Sequence, residues 1–125
     1  MSDFKFDTKE KFNVITSNFA DLSDNTADEL IAVASNLLKG TVKNVIIKCN
    51  TIQTISENAA FKLQQLYVLF LENNASLVFC EIQSEVRLKL EALDISEMLN
   101  ITPTESEAWD IVQMEEIERD LLKED

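Results

Sequence analysis

Along residues 4–16 apolar and polar positions alternate. Phe4 and Phe6 share one face, and Phe12, Val14 and Thr16 share another after the charged turn of Asp7 to Lys11. A period of two is that of a half-buried strand, so this segment predicts a β-hairpin or two short strands. The spacing then changes. Ala27, Leu30, Ile31, Ala34, Leu37 and Leu38 recur at three and four residues, as on one face of a helix. Thr26 with Glu29 three residues later reads as a capping box that starts this helix, and Gly40 reads as the residue of positive φ that ends it.

The two periods go on alternating. NVIIKC, 44–49, is short, β-branched and apolar on both faces, as a central strand is. Ala59, Ala60, Leu63, Leu66, Tyr67 and Phe70 form the next helical stripe, and Phe61, Val68, Leu69 and Leu71 fill much of its other side. That predicts a helix buried nearly all round. ASLVFCE, 75–81, reads as a strand, and Ser84 as the cap of a helix with Val86, Leu90 and Leu93 inward. Ile101 marks a last short strand before Pro103. Thr104 and Glu107 then form a second capping box, opening a helix with Trp109, Val112 and Ile117 on the core.

The predicted order is β-β-α-β-α-β-α-β-α. Strands alternating with helices imply crossover connections, hence an α/β fold with a largely parallel or mixed sheet. The 125 residues suit one domain, with a core over about 4–104 and an acidic amphipathic helix over about 105–123.

Charge narrows the function. The net charge is -12, from 23 acidic and 11 basic residues. Such a balance disfavours nucleic acid and anionic membranes, which need clustered Lys and Arg. No histidine is present, which removes Ser-His and Cys-His catalysis and most zinc chemistry. No catalytic residue, cofactor site or metal site is therefore expected. Cys49 and Cys80 lie in apolar runs and read as reduced core thiols, with a disulfide or redox pair as the alternative. The start, MSDFKFDTKE, has no signal pattern, and no apolar run reaches the ~20 residues that span a bilayer. The expectation is a cytoplasmic protein.

Between the central strand and the next helix lies TIQTISENAA, 51–60, with the polar turn Ser56-Glu57-Asn58 at its centre. FADLSDNTADEL (19–30), NVIIKCNTIQTISENAAFKL (44–63) and ASLVFCEIQSEVRLKLEALDISEMLNI (75–101) together resemble the STAS domain, the family of anti-sigma-factor antagonists. The resemblance covers about residues 4–110. It implies a single α/β domain with a mixed sheet of about five strands and about four helices. It also implies a non-enzymatic, protein-binding role in a bacterial partner-switching circuit. In such proteins the loop entering the second helix reads Asp-Ser-Ser-Gly, and its second serine is phosphorylated by a kinase that is also the anti-sigma factor. Here Ser56, Glu57, Asn58 and Ala59 stand at those four places, and Lys48 at an earlier acidic one. The resemblance thus puts Asn58 at the phosphoserine position and implies a domain without the usual serine switch.

The surface expected to meet a partner is Gln53, Thr54, Ser56, Glu57, Asn58 and Lys62. The partner class is an anti-sigma factor with serine-kinase character or a stressosome-type STAS protein; a homodimer stays open. Ser56 is a displaced candidate phosphosite. The plainer reading of Ser56 and Glu57 is an N-cap and a dipole-matched acid, together worth ~1–2 kcal/mol of helix stability. Lys48 and Lys62 are expected to flank the turn, as ordinary surface lysines or as contacts to an acidic partner or a nucleotide phosphate. A small-ligand or nucleotide-sensing module is one alternative function, and a structural subunit of a larger assembly another. The last helix is read as solvated and amphipathic, or as a docking helix in which Met114, Leu121 and Leu122 meet a partner or a second copy.

Overall fold

Five strands form the central sheet of the computed structural model, which describes residues 4–123. Strand β1 (Phe4–Thr8) runs antiparallel to β2 (Phe12–Ser17) in the predicted hairpin. Three parallel neighbours complete the order β1-β2-β4-β6-β7: β4 (Asn44–Lys48), β6 (Leu77–Cys80) and β7 (Asn100–Thr102). The sheet is mixed, and its central strand, β4, is apolar on both faces, as is its neighbour β6. Four helices are described: α1 (Asp24–Leu37), α2 (Glu57–Glu72), α3 (Ser84–Ala92) and α4 (Glu105–Lys123). None of them is long and apolar enough to cross a membrane.

Because side chains alternate along a strand, the sheet feeds two cores. Ile15, Val45, Ile47, Leu77 and Phe79 pack with Leu30, Leu63, Leu66, Phe70 and Leu90 of α1–α3. Val14, Ile46, Val78 and Cys80 point the other way, where Phe12, Ala108 and Val112 join them beneath α4. Helix α4 packs on this face of the sheet through Ala108 and Val112.

A second, two-stranded sheet went unforeseen. Strand β3 (Asp21–Leu22) pairs in parallel with β5 (Thr54–Ile55). At two residues each, these strands leave no period to detect in a sequence.

Local chemistry differs from expectation at five places. The N-cap of α1 is Ser23, and Thr26 is the partner inside the box: the Ser23 N–H donates to Thr26 Oγ1 at 2.7 Å, and the Thr26 N–H to Ser23 Oγ at 3.3 Å. Thr26 replaces the usual Glu there because its hydroxyl both accepts from Ser23 and donates to the Asp21 carbonyl at 2.9 Å. Gly40 has no positive φ; α1 ends in successive tight turns closed by Leu38, Lys39 and Gly40 N–H groups, so no left-handed residue is required. Ser84 is the first residue of α3, whose N-cap is Gln83; that side chain donates instead to the Asn50 carbonyl at 2.7 Å. Helix α2 is buried on one face only: Phe61, Val68 and Leu71 are exposed, because α1 and the sheet cover one side and no described element covers the other. In α4, Val112 is in the core but Ile117 is exposed, and Trp109 lies at the rim against Phe12, with ring centroids 5.2 Å apart. Thr104 does cap α4, accepting from the Glu107 N–H at 3.2 Å.

Candidate functional site

Each strand of the β3–β5 pair runs directly into a helix. Their parallel pairing therefore sets the starts of α1 and α2 side by side. Backbone bonds fix the register: the Gln53 N–H donates to the Ala20 carbonyl at 2.7 Å, and the Ser56 N–H to the Leu22 carbonyl at 3.0 Å. Two helix N-termini at close quarters concentrate unpaired N–H groups and the positive ends of two dipoles. Asp24 and Glu57, in the first turns of α1 and α2, supply the opposing negative charge.

Asp24 does more than balance a dipole. One carboxylate oxygen accepts from Ser56 Oγ at 2.6 Å, and the other from Asn58 Nδ2 at 3.1 Å. Ser56 is also the N-cap of α2, its Oγ accepting from the Ala59 N–H at 3.0 Å. The Ser56 hydroxyl is therefore committed both as donor and as acceptor. Hydrogen bonds from Ser56, then from Asn58, hold the Asp24 carboxyl below its usual range; the Lys62 charge adds to this, and partial desolvation opposes it. Thr54 Oγ1 donates to Asp21 in the same way, at 2.7 Å. Lys62 Nζ reaches Asp28 of α1 at 2.6 Å.

The structure thus brings Thr54, Ser56, Glu57, Asn58 and Lys62 together at one end of the α1–α2 pair, with the Gln53 side chain exposed beside them. Glu57 and Asn58 face solvent at an accessible helix start. Phe61, 39% exposed, lies one turn further along the same face. Three of these groups were missed: Asp21, Asp24 and Phe61. The two aspartates carry a weak signal, an Asx-rich run ahead of a helix, but their partners lie more than thirty residues away. Phe61 was misassigned to the buried side.

Lys48 does not belong to this site. It lies on the α4 face of the sheet, 3.3 Å from Glu105 and 3.8 Å from Glu81. Its hydrogen bond to Glu105 raises its pKa. It lines a cavity of about 310 Å³ with Lys5, Asp7, Val14, Thr16 and Glu105. The cysteines lie on opposite faces of the sheet, Cys49 in the α1–α3 core and Cys80 in the α4 core, and both are free thiols. Burial pushes the Cys80 thiol up to about 12 and Cys49 higher still, so neither is a thiolate near neutrality. No metal-holding cluster of His, Cys, Asp or Glu occurs among the described residues.

With this geometry in place, comparison with known proteins is direct. The model of the STAS domain family matches residues 7–108. An anti-sigma-factor antagonist (STAS) domain protein from Planctomyces limnophilus superimposes with a TM-score of 0.77 at 15% identity, over 90% of this chain and 99% of that one. A variant of RsbS from Moorella thermoacetica gives 0.73 at 12% identity, over 90% and 96%. The anti-sigma factor antagonist SpoIIAA of Bacillus, in its unphosphorylated form, gives 0.69 at 15% identity, over 88% and 96%. Likeness at such identity is likeness of fold. No curated protein matches the chain.

Proposed function

The chain belongs to the STAS domain family, and we propose that it works as a non-enzymatic, anti-sigma-factor-antagonist-like module that docks a protein partner through the start of α2. The docking residues are Gln53, Thr54, Ser56, Glu57, Asn58 and Lys62, joined by Phe61 as an apolar anchor. The observation that carries this reading is the Asp24 clamp: an exposed turn is held rigid by two side-chain hydrogen bonds, so it is ordered before a partner arrives. Binding rather than catalysis fits a chain with no histidine and two buried, protonated thiols.

The same geometry argues against a phosphorylation switch. Asn58 carries no hydroxyl. Ser56 has one, but it lies 2.6 Å from the Asp24 carboxylate. A phosphate there would remove the proton that Ser56 donates to Asp24 and set roughly -1.5 to -2 charges against an ionised acid. The docking face is therefore held in a single state, and regulation lies with the partner.

Purified anti-sigma factor of the serine-kinase type, with ATP and magnesium, provides the test. The chain is expected to form a complex and to carry no phosphate by peptide mass spectrometry. Asn58→Lys should weaken the complex about tenfold or more, with the fold unchanged by circular dichroism. Phosphate on Ser56, or an Asn58→Lys complex of unchanged affinity, would refute the reading.

A further inference from the structure

The second half of α4 is turned inside out. Its sheet-facing side carries ions and amides: Glu115 accepts from Asn100 Nδ2 at 2.9 Å, and Glu116 from Asn44 Nδ2 at 2.9 Å. Arg119 donates to Asn44 Oδ1 at 3.2 Å and to Ser76 Oγ at 3.1 Å. Its apolar side chains face solvent instead. Met114 is 55% exposed, Ile117 60% and Leu121 64%, at spacings of three and four that make one continuous stripe. Leu122, 76% exposed, lies outside the stripe, on the flank beyond Glu118. A helix that turns its arginine to the sheet and shows its apolar stripe has an outer face shaped for another molecule.

Charge says what kind of molecule. At 100° per residue, Glu118 and Asp120 border the stripe on either side and Asp110 lies in line with it one turn before Met114, while Arg119 is turned away to the sheet. Two copies of this chain laying the stripe against each other would bring these carboxylates together, on chains of net charge -12. We propose that the outer face of α4 binds a different protein, presenting an amphipathic helix whose apolar seam is bordered by Lys and Arg. Helix α4 covers the opposite face of the sheet from α1 and α2. The two surfaces are therefore free to be filled at once, and this one does not depend on what the turn at Asn58 binds.

A labelled synthetic helix with one leucine face and lysine borders is the probe, with a glutamate-bordered helix of the same leucine face as control. Binding to the full chain is read by fluorescence anisotropy at low and high salt, and the chain's own mass by sedimentation. The lysine-bordered helix should bind, several-fold more weakly at high salt, and the glutamate-bordered one should not. The triple variant Met114→Gln, Ile117→Gln, Leu121→Gln should weaken binding about tenfold or more. These side chains are already exposed, so circular dichroism and melting should match the parent. Two results would overturn the proposal. One is no binding, or equal binding by the triple variant, which would mean nothing more than adsorption to an acidic surface. The other is a dimer of the chain that the triple variant dissociates, which would make a second copy the occupant.

Discussion

The two faces of the central sheet solve the same problem differently. On one side, three helices bury a broad apolar core containing Phe70, Phe79, Leu66 and Leu90, each less than 2% exposed. On the other, α4 covers Phe12, Val14, Ile46 and Val78, and only its first half contributes apolar side chains, at Ala108, Ile111 and Val112, with Trp109 against Phe12 at the rim. Its second half is fastened by Glu115, Glu116 and Arg119. The first face draws its stability from apolar area, which water does not compete for. The second is partly held by polar bonds that water can replace, so their net worth is smaller. Both faces present something outward: a clamped polar turn on the first, and a bare apolar stripe on the second.

The contrast can be tested by unequal damage. Phe79→Ala should cost the most, about 3–5 kcal/mol, because a large aromatic ring leaves a cavity that the α1–α3 core cannot collapse to fill. Denaturant titration would read it, and a loss below about 1 kcal/mol would mean that this core is looser than its burial indicates. Arg119→Ala should cost less, about 1–2 kcal/mol, by stripping donors from Asn44 and Ser76. Its signature is location: amide exchange should quicken in residues 113–123 and stay unchanged in α1 and α2.

Ser56→Ala should cost about 1 kcal/mol, the usual worth of an N-cap, and should loosen the start of α2. Asp24→Asn has the subtlest effect, visible through pH. The Asp24 carboxyl is held below its ordinary value in the fold, so its contribution is present above that value and is lost as pH falls through the depressed one. The melting temperature of the parent should therefore approach that of Asp24→Asn as the pH is lowered from about 5 towards 2. A constant gap between the two would mean that Ser56 and Asn58 do not favour the ionised acid.

Much of the fold was legible because its signals are local. The hairpin, the apolar centre of β4 and the four helices each carry a pattern several residues long. The site was legible only in part. Ser56 and Glu57 announce a helix start, but Asp24, which organises the turn, accepts its side-chain hydrogen bonds from Ser56 and Asn58, more than thirty residues further along the chain. It acts through a parallel pairing of two-residue strands. Likewise Phe61, Ile117 and Lys48 could be assigned to a helix or a strand but not to a side of the molecule.

The sequence alone determined the alternation of strands and helices, the acidic charge and the absence of a hydroxyl at position 58, because these are properties of neighbours along the chain. The tertiary structure decided which faces stay bare and which acid meets which donor. Those outcomes depend on how segments thirty or more residues apart cover one another, and a pattern of local periods does not encode that.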